Sequence, residues 1–178
     1  MDATDRTRVS CITQRICAKI TLMLGREYDQ ICSIAGTLEL LGERWTLLVI
    51  RDVFSGRRRF DQIQESLGVA RNVLAARLGW LVEQGILEKR PYQERPPRHE
   101  YFLTEKGLDL WPVMLALLSW GDRHLEWPDG PPMVVVHKGC GGRVDDRRIC
   151  ERCGNHLEVR EARAEPGPGA PAGSRAAA

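Results

Sequence analysis

A chain of 178 residues with 43% hydrophobic and 28% charged residues has room for one core and a small appendage. Its net charge of +2 is unevenly spread: from Arg57 to Arg98 nine basic residues stand against five acids, a local excess of +4 that points to a polyanion met by one face. No apolar run approaches the ~20 residues of a membrane helix, and Arg15 and Lys19 interrupt any secretory core near the start, so a cytoplasmic protein without a membrane partner is expected.

Taken in chain order, Val9, Ile12, Ile16 and Ile20 recur at helical spacing within residues 1–27. This lead is expected to be an N-terminal extension, with Met23 as an alternative start. Ile34, Leu38 and Leu41 then lie at i, i+4, i+7, and Trp45, Leu48, Val49 and Val53 continue after Gly42, which predicts two helices over 33–41 and 43–54. Phe60, Ile63 and Leu67 mark a short third helix closed by Gly68. Leu74, Leu78, Leu81 and Val82 mark a fourth, over about 70–84. The stretches ILEKRPY and HEYFL alternate like strands, and QERPPR between them makes a hairpin tip. Thr104 offers an N-cap to a last long helix carrying Leu108, Trp111, Leu115 and Leu118, in which Pro112 should produce a kink or break. WPDGPPM reads as a linker. Residues 161–178 are 13 Ala, Gly or Pro out of 18, a composition expected to form a disordered tail.

Helices followed by a hairpin with a basic tip give a mainly α fold with a small β-hairpin wing, the winged helix-turn-helix. The third and fourth helices form the helix-turn-helix, and the fourth would lie in a DNA major groove. Its start presents Arg71 and Asn72, with Arg77 further on; arginine pairs with guanine, and asparagine with adenine, through two hydrogen bonds each. Arg95 and Arg98 at the hairpin tip suit phosphates or the narrow minor groove, and Arg57, Arg58 and Arg59 suit phosphates ahead of the third helix.

From Cys32 to Pro128 the chain resembles the HxlR-type family of bacterial winged-helix regulators, through RWTLLVIRD, RRRFDQIQ, RPYQERPPRHEYFLTEKG and LLSWGDRH. The resemblance implies a homodimer on a palindromic operator, with the dimer built from the first and last helices, near Ile34–Leu41 and Leu110–His124. Two departures stand out. Cys32-Ser33 replaces the family's Cys-Pro, and Gly79 falls inside the recognition helix at a cost of roughly 1 kcal/mol against alanine. Cys32 matches the cysteine some members use to sense oxidants or electrophiles; a helix N-terminus would favour its thiolate, while a small buried thiol without a signalling role is the plainer reading.

The segment HKGCGGRVDDRRICERCG places His137-x2-Cys140 nine residues ahead of Cys150-x2-Cys153. Two tight knuckles of this kind converge on one ion, as in a zinc ribbon, and four protein ligands leave no open position for catalysis. A small zinc-ribbon-like appendage over residues 134–158, with one structural Zn2+ per chain, is therefore expected. The reading is a DNA-binding transcriptional regulator over residues 32–128, a repressor binding double-stranded DNA as a homodimer, with a small molecule or an oxidant as candidate effector. Its rival is a winged-helix and zinc-ribbon module used only for protein contact. An enzyme is not expected, since no nucleophile has an arranged base and no phosphate loop is present.

Overall fold

The computed structural model describes residue 28 and residues 30–171. The expectations for residues 1–27, including the helical spacing there and Met23, fall outside them. The chain divides into two compact units, Met1–Leu47 and Leu48–Ala178.

In the first unit helix α1 spans Ser33–Leu41, with Cys32 in extended conformation at its N-cap. Ala35 and Leu41 are its buried residues, whereas Ile34 and Leu38 are exposed. Gly42 ends it, its N–H donating to the Leu38 carbonyl at 2.7 Å. The second helix, α2 (Thr46–Phe54), begins later than the spacing predicts. Residues 43–45 form a turn in which Glu43 accepts the backbone N–H of Trp45, because a side-chain acceptor competes with the helical ladder at that point.

In the second unit Val49, Ile50 and Val53 of α2 are buried. Helix α3 (Phe60–Leu67) is held at its start by Gln62, whose Oε1 accepts the backbone N–H groups of Arg58 and Arg59. Its end is Gly68 in the left-handed region, φ 62°, which only glycine enters without strain. After a turn that buries Val69, α4 (Arg71–Glu83) sends Leu74, Leu78, Trp80 and Leu81 inward. Strands β1 (Leu87–Gln93) and β2 (Arg98–Leu103) pair antiparallel from Leu87↔Leu103 to Gln93↔Arg98, with an irregularity between Pro91 and Gln93. The proline lacks the N–H a ladder needs, so the irregularity falls beside it.

The expected last helix is two. Thr104 caps α5 (Glu105–Leu108) through its hydroxyl, which accepts the Gly107 N–H at 3.1 Å. The chain breaks at Asp109–Leu110, and α6 (Trp111–His124) restarts with Pro112 in its first turn, where its missing N–H costs nothing. Beyond it β3 (Met133–His137) pairs antiparallel with β4 (Ala162–Pro166), from Met133↔Pro166 to His137↔Ala162. Strand β4 lies inside the segment expected to be disordered. Its ordering comes from the β3 ladder and from Gly167, whose missing side chain lets the backbone lie against the Pro131 carbonyl. Trp111, Leu115, Cys150, Leu157 and Ala162 form one buried cluster, so the inner face of α6 and the Cys/His segment share a core.

Candidate nucleic-acid interface and metal centre

Packing that buries Leu74, Leu78 and Leu81 leaves Arg71, Asn72, Ala75, Ala76 and Gly79 exposed on the outer face of α4. Two polar side chains at the N-terminal end, followed by residues with little or no side chain, make an exposed face of low relief. Arg71 is held by Phe60, its guanidinium carbon 4.8 Å from the ring centroid. Arg77 sits apart from this group. It is half-buried with its Nε enclosed, on the flank of the helix rather than its outer face.

The basic residues ahead of α3 are exposed, and each has its own partners. Arg57 lies 3.7 Å from the carboxylate of Asp52, a fully buried acid that also accepts from Arg51 at 2.8 Å. Arg59 donates from Nε to Glu100 at 3.0 Å and covers the Tyr92 ring at 4.8 Å. The Glu100 carboxylate raises the Arg59 pKa above its ordinary value. Arg58 covers Phe102 at 4.5 Å. Arg95 and Arg98 lie exposed at the hairpin tip. Arg90 on β1 also covers Phe102, at 4.4 Å, and was not singled out by sequence; its only signal there is a basic residue two positions from Glu88, on the same strand face.

His137, Cys140, Cys150 and Cys153 come together, with their ligand atoms all within 4.8 Å of one another. Cys140 Sγ lies 3.2 Å from His137 Nδ1 and 3.4 Å from Cys150 Sγ, and Cys153 Sγ lies 3.4 Å from the same nitrogen. A tetrahedral zinc site spaces its donors by about 3.5–3.8 Å, so this cage already has the size of one ion. Gly142 makes the closure feasible, since a Cβ there would stand 2.6 Å from Cys150 Sγ. Backbone N–H groups of Cys153 and Arg152 lower the Cys150 pKa to about 6 against its burial, which favours the thiolate a metal needs. This four-residue cluster can hold a metal ion.

The cluster is tied to α6 by more than core packing. Arg123 Nη1 donates to Asp146 Oδ2 at 3.0 Å, and a cavity of about 290 Å3 lies between α6 and the segment, lined by Leu118, Ser119, Asp122, Val135 and Arg143 among others. Burial raises the Asp122 pKa, against the pull of Arg143. In the first unit Cys32 is exposed, and the backbone N–H groups of Ala35 and Ile34 lower its thiol pKa. Among the described residues no helix is long and apolar enough to cross a membrane.

Comparison with known proteins places this geometry. Residues 40–128 match the HxlR-like helix-turn-helix family. The HTH-type transcriptional regulator Rv3095 of Mycobacterium tuberculosis is 47% identical over 137 residues, covering 77% of this chain and 87% of that protein. The HTH-type transcriptional regulator sll1512 of Synechocystis is 39% identical over 101 residues, 56% of this chain and 75% of the relative. The crystal structure of PA1607, assigned as a transcription factor, matches with a TM-score of 0.61 at 36% identity, covering 76% of this chain and 94% of that one. The 137-residue alignment is longer than the family match, so the likeness to Rv3095 runs past the winged helix.

Proposed function

The chain belongs to the HxlR-like helix-turn-helix family of transcriptional regulators, and from that premise we propose that it is a sequence-specific DNA-binding repressor acting as a homodimer on a palindromic operator. The observation that carries the reading is the outer face of α4: Arg71 and Asn72 exposed at its start, with small residues behind them and the Arg95/Arg98 tip beside it in sequence order. Arginine and asparagine each offer a bidentate match to one purine, while tip arginines meet phosphates or the minor groove.

The homodimer is supported by apolar surface that a monomer would leave wet. On α6, Val113, Leu117 and Trp120 follow at i, i+4, i+7 and are 44%, 48% and 55% exposed, on the side away from buried Trp111 and Leu115. On α1, Ile34 is 70% exposed and Leu38 45%. A second copy covering such faces would set two recognition helices about 34 Å apart, one turn of DNA. The His137/Cys140/Cys150/Cys153 cage supports one Zn2+ per chain, held by four protein donors and therefore structural, so the proposal includes no catalytic step. The cavity beside α6 and the exposed Cys32 thiol are the two places where a small molecule or an oxidant would act.

The test is a mobility-shift titration on the gene's own upstream region at stated salt. Saturable binding that an unrelated duplex does not compete away is expected, and Asn72→Ala should bring the two affinities closer together. Absence of any sequence-dependent shift would overturn the reading and leave a module for protein contact.

A further inference from the structure

Arginine and aromatic side chains alternate along one continuous path of the second unit. Arg71 at the start of α4 covers Phe60 at 4.8 Å, Arg59 at the N-cap of α3 covers Tyr92 of β1 at 4.8 Å, and Arg58 and Arg90 both cover Phe102 of β2, at 4.5 and 4.4 Å. The row thus leads from the first turn of the recognition helix to the root of the wing. Its members differ in what they are free to do. The Nε of Arg59 is committed to Glu100, which sits in an isolated bridge with it, so this arginine is a strut fastening α3 to β2. Arg71 stands at the base-reading end. Arg58 and Arg90 bring two positive charges onto a single ring, and of the two only Arg90 has an ion-pair partner among the described residues, the Glu88 carboxylate.

We infer that Arg58 and Arg90, laid on Phe102, form a clamp for a DNA backbone phosphate at the root of the wing, between the recognition helix and the basic tip. The inference rests on the DNA-binding reading above and deepens it. Three physical points support it. A guanidinium over a ring rests against apolar carbon while its N–H groups stay able to bind phosphate oxygens, and Arg90 would share its N–H groups between Glu88 and the phosphate. The base of the clamp is also fixed before it binds: the Arg58 N–H donates to Gln62 Oε1 at 3.2 Å and its carbonyl accepts the Tyr101 N–H at 2.8 Å, so its backbone joins α3 to β2. The Arg58 backbone therefore has little freedom left to lose on binding. Finally, Arg58 and Arg90 converge on one ring while the ion pair with Glu88 engages only Arg90, so a phosphate there would supply the acceptor that Arg58 lacks. Arg90 then contacts the ligand, and Phe102 is a positioning residue that acts through both arginines.

The experiment measures affinity for an operator duplex and for an unrelated duplex of equal length across a series of salt concentrations, with a thermal melt for each variant. Arg90→Ala and Arg58→Ala should each lower affinity on both duplexes, and the double variant, which leaves the shared phosphate without either arginine, should flatten the plot of log K against log salt by about 0.9. Arg90→Lys keeps the charge and should keep most of the slope. Phe102→Leu keeps an apolar residue in the ladder and should weaken binding with both arginines still present. Melting temperatures close to the parent protein's are expected throughout. A slope unchanged in the double variant Arg58→Ala/Arg90→Ala, with or without a lower melting temperature, would show that the pair is only a structural brace and overturn the clamp. If an alanine variant fails to fold, Arg90→Gln and Arg58→Gln carry the same slope test. Wild-type protein that binds neither duplex would instead overturn the DNA-binding reading itself, so the two failures are distinct.

Discussion

Gly79 is the ninth of the thirteen residues of α4 and lies on the outer face proposed to enter a groove. A helix interior normally excludes glycine, because it costs about 1 kcal/mol relative to alanine. Close packing is the usual reason to keep one, and the structure removes it: a Cβ added at Gly79 meets no atom within 4 Å, and the residue is exposed. The fold therefore does not require it. Gly79→Ala should stabilise the chain by about 1 kcal/mol, which for this size raises the melting temperature by roughly 2–4 °C. Gly79→Leu should melt no lower than the parent protein, since leucine is a good helix former with open space to occupy. Its side chain, however, would stand beside Ala75 and Ala76 and fill the space a base edge needs. A loss of operator affinity of at least about tenfold, or 1.4 kcal/mol, is expected for Gly79→Leu, with a smaller loss for alanine. The assay pairs a thermal melt with the mobility-shift titration. Unchanged operator affinity in Gly79→Leu would refute the assignment of this face to the groove. A lower melting temperature in Gly79→Ala would refute the account of why the glycine is tolerated.

Three further outcomes follow from other parts of the molecule. Metal analysis of the purified protein should find one zinc per chain, and Cys153→Ser should release it; because Cys150 shares a core with Trp111, loss of the ion should also shift tryptophan fluorescence to longer wavelength, whereas a metal-free protein with unchanged spectrum and melt would contradict a metal-held segment. Leu117→Glu places a charge in the exposed apolar row of α6 and should turn a dimer into monomers in sedimentation while secondary structure is kept; a variant that remains dimeric would exclude this face as the seam. The Cys32 thiol, held below its ordinary pKa by helix N–H groups, should be alkylated with a pH midpoint lower than that of a free thiol, the rate rising earlier as pH increases; a midpoint at or above the free-thiol value would exclude thiolate stabilisation there.

What the sequence determined by itself was whatever is written in local periodicity and ligand spacing. The 3.6-residue recurrence of Leu74, Leu78 and Leu81 predicts a helix with an inner face, the alternation in ILEKRPY and HEYFL predicts a hairpin, and two knuckles of His/Cys type predict four ligand atoms brought together, as the cluster is. Only the tertiary structure could decide features that depend on partners distant in sequence. The disposition of Arg77, half-buried on the flank of α4, follows from how that helix packs, which its position in the sequence does not specify. Pro112 allowed a kink or a break; the outcome, a separate α5 and α6, placed the proline in a first turn where no hydrogen bond is lost. Strand β4 was illegible because Ala, Gly and Pro carry no strand signal, and its order is supplied by the ladder on β3. The row of arginines on Phe60, Tyr92 and Phe102 was equally hidden. Stacking joins side chains up to 44 residues apart, and composition records only that arginines are present, not that each one lies over a ring.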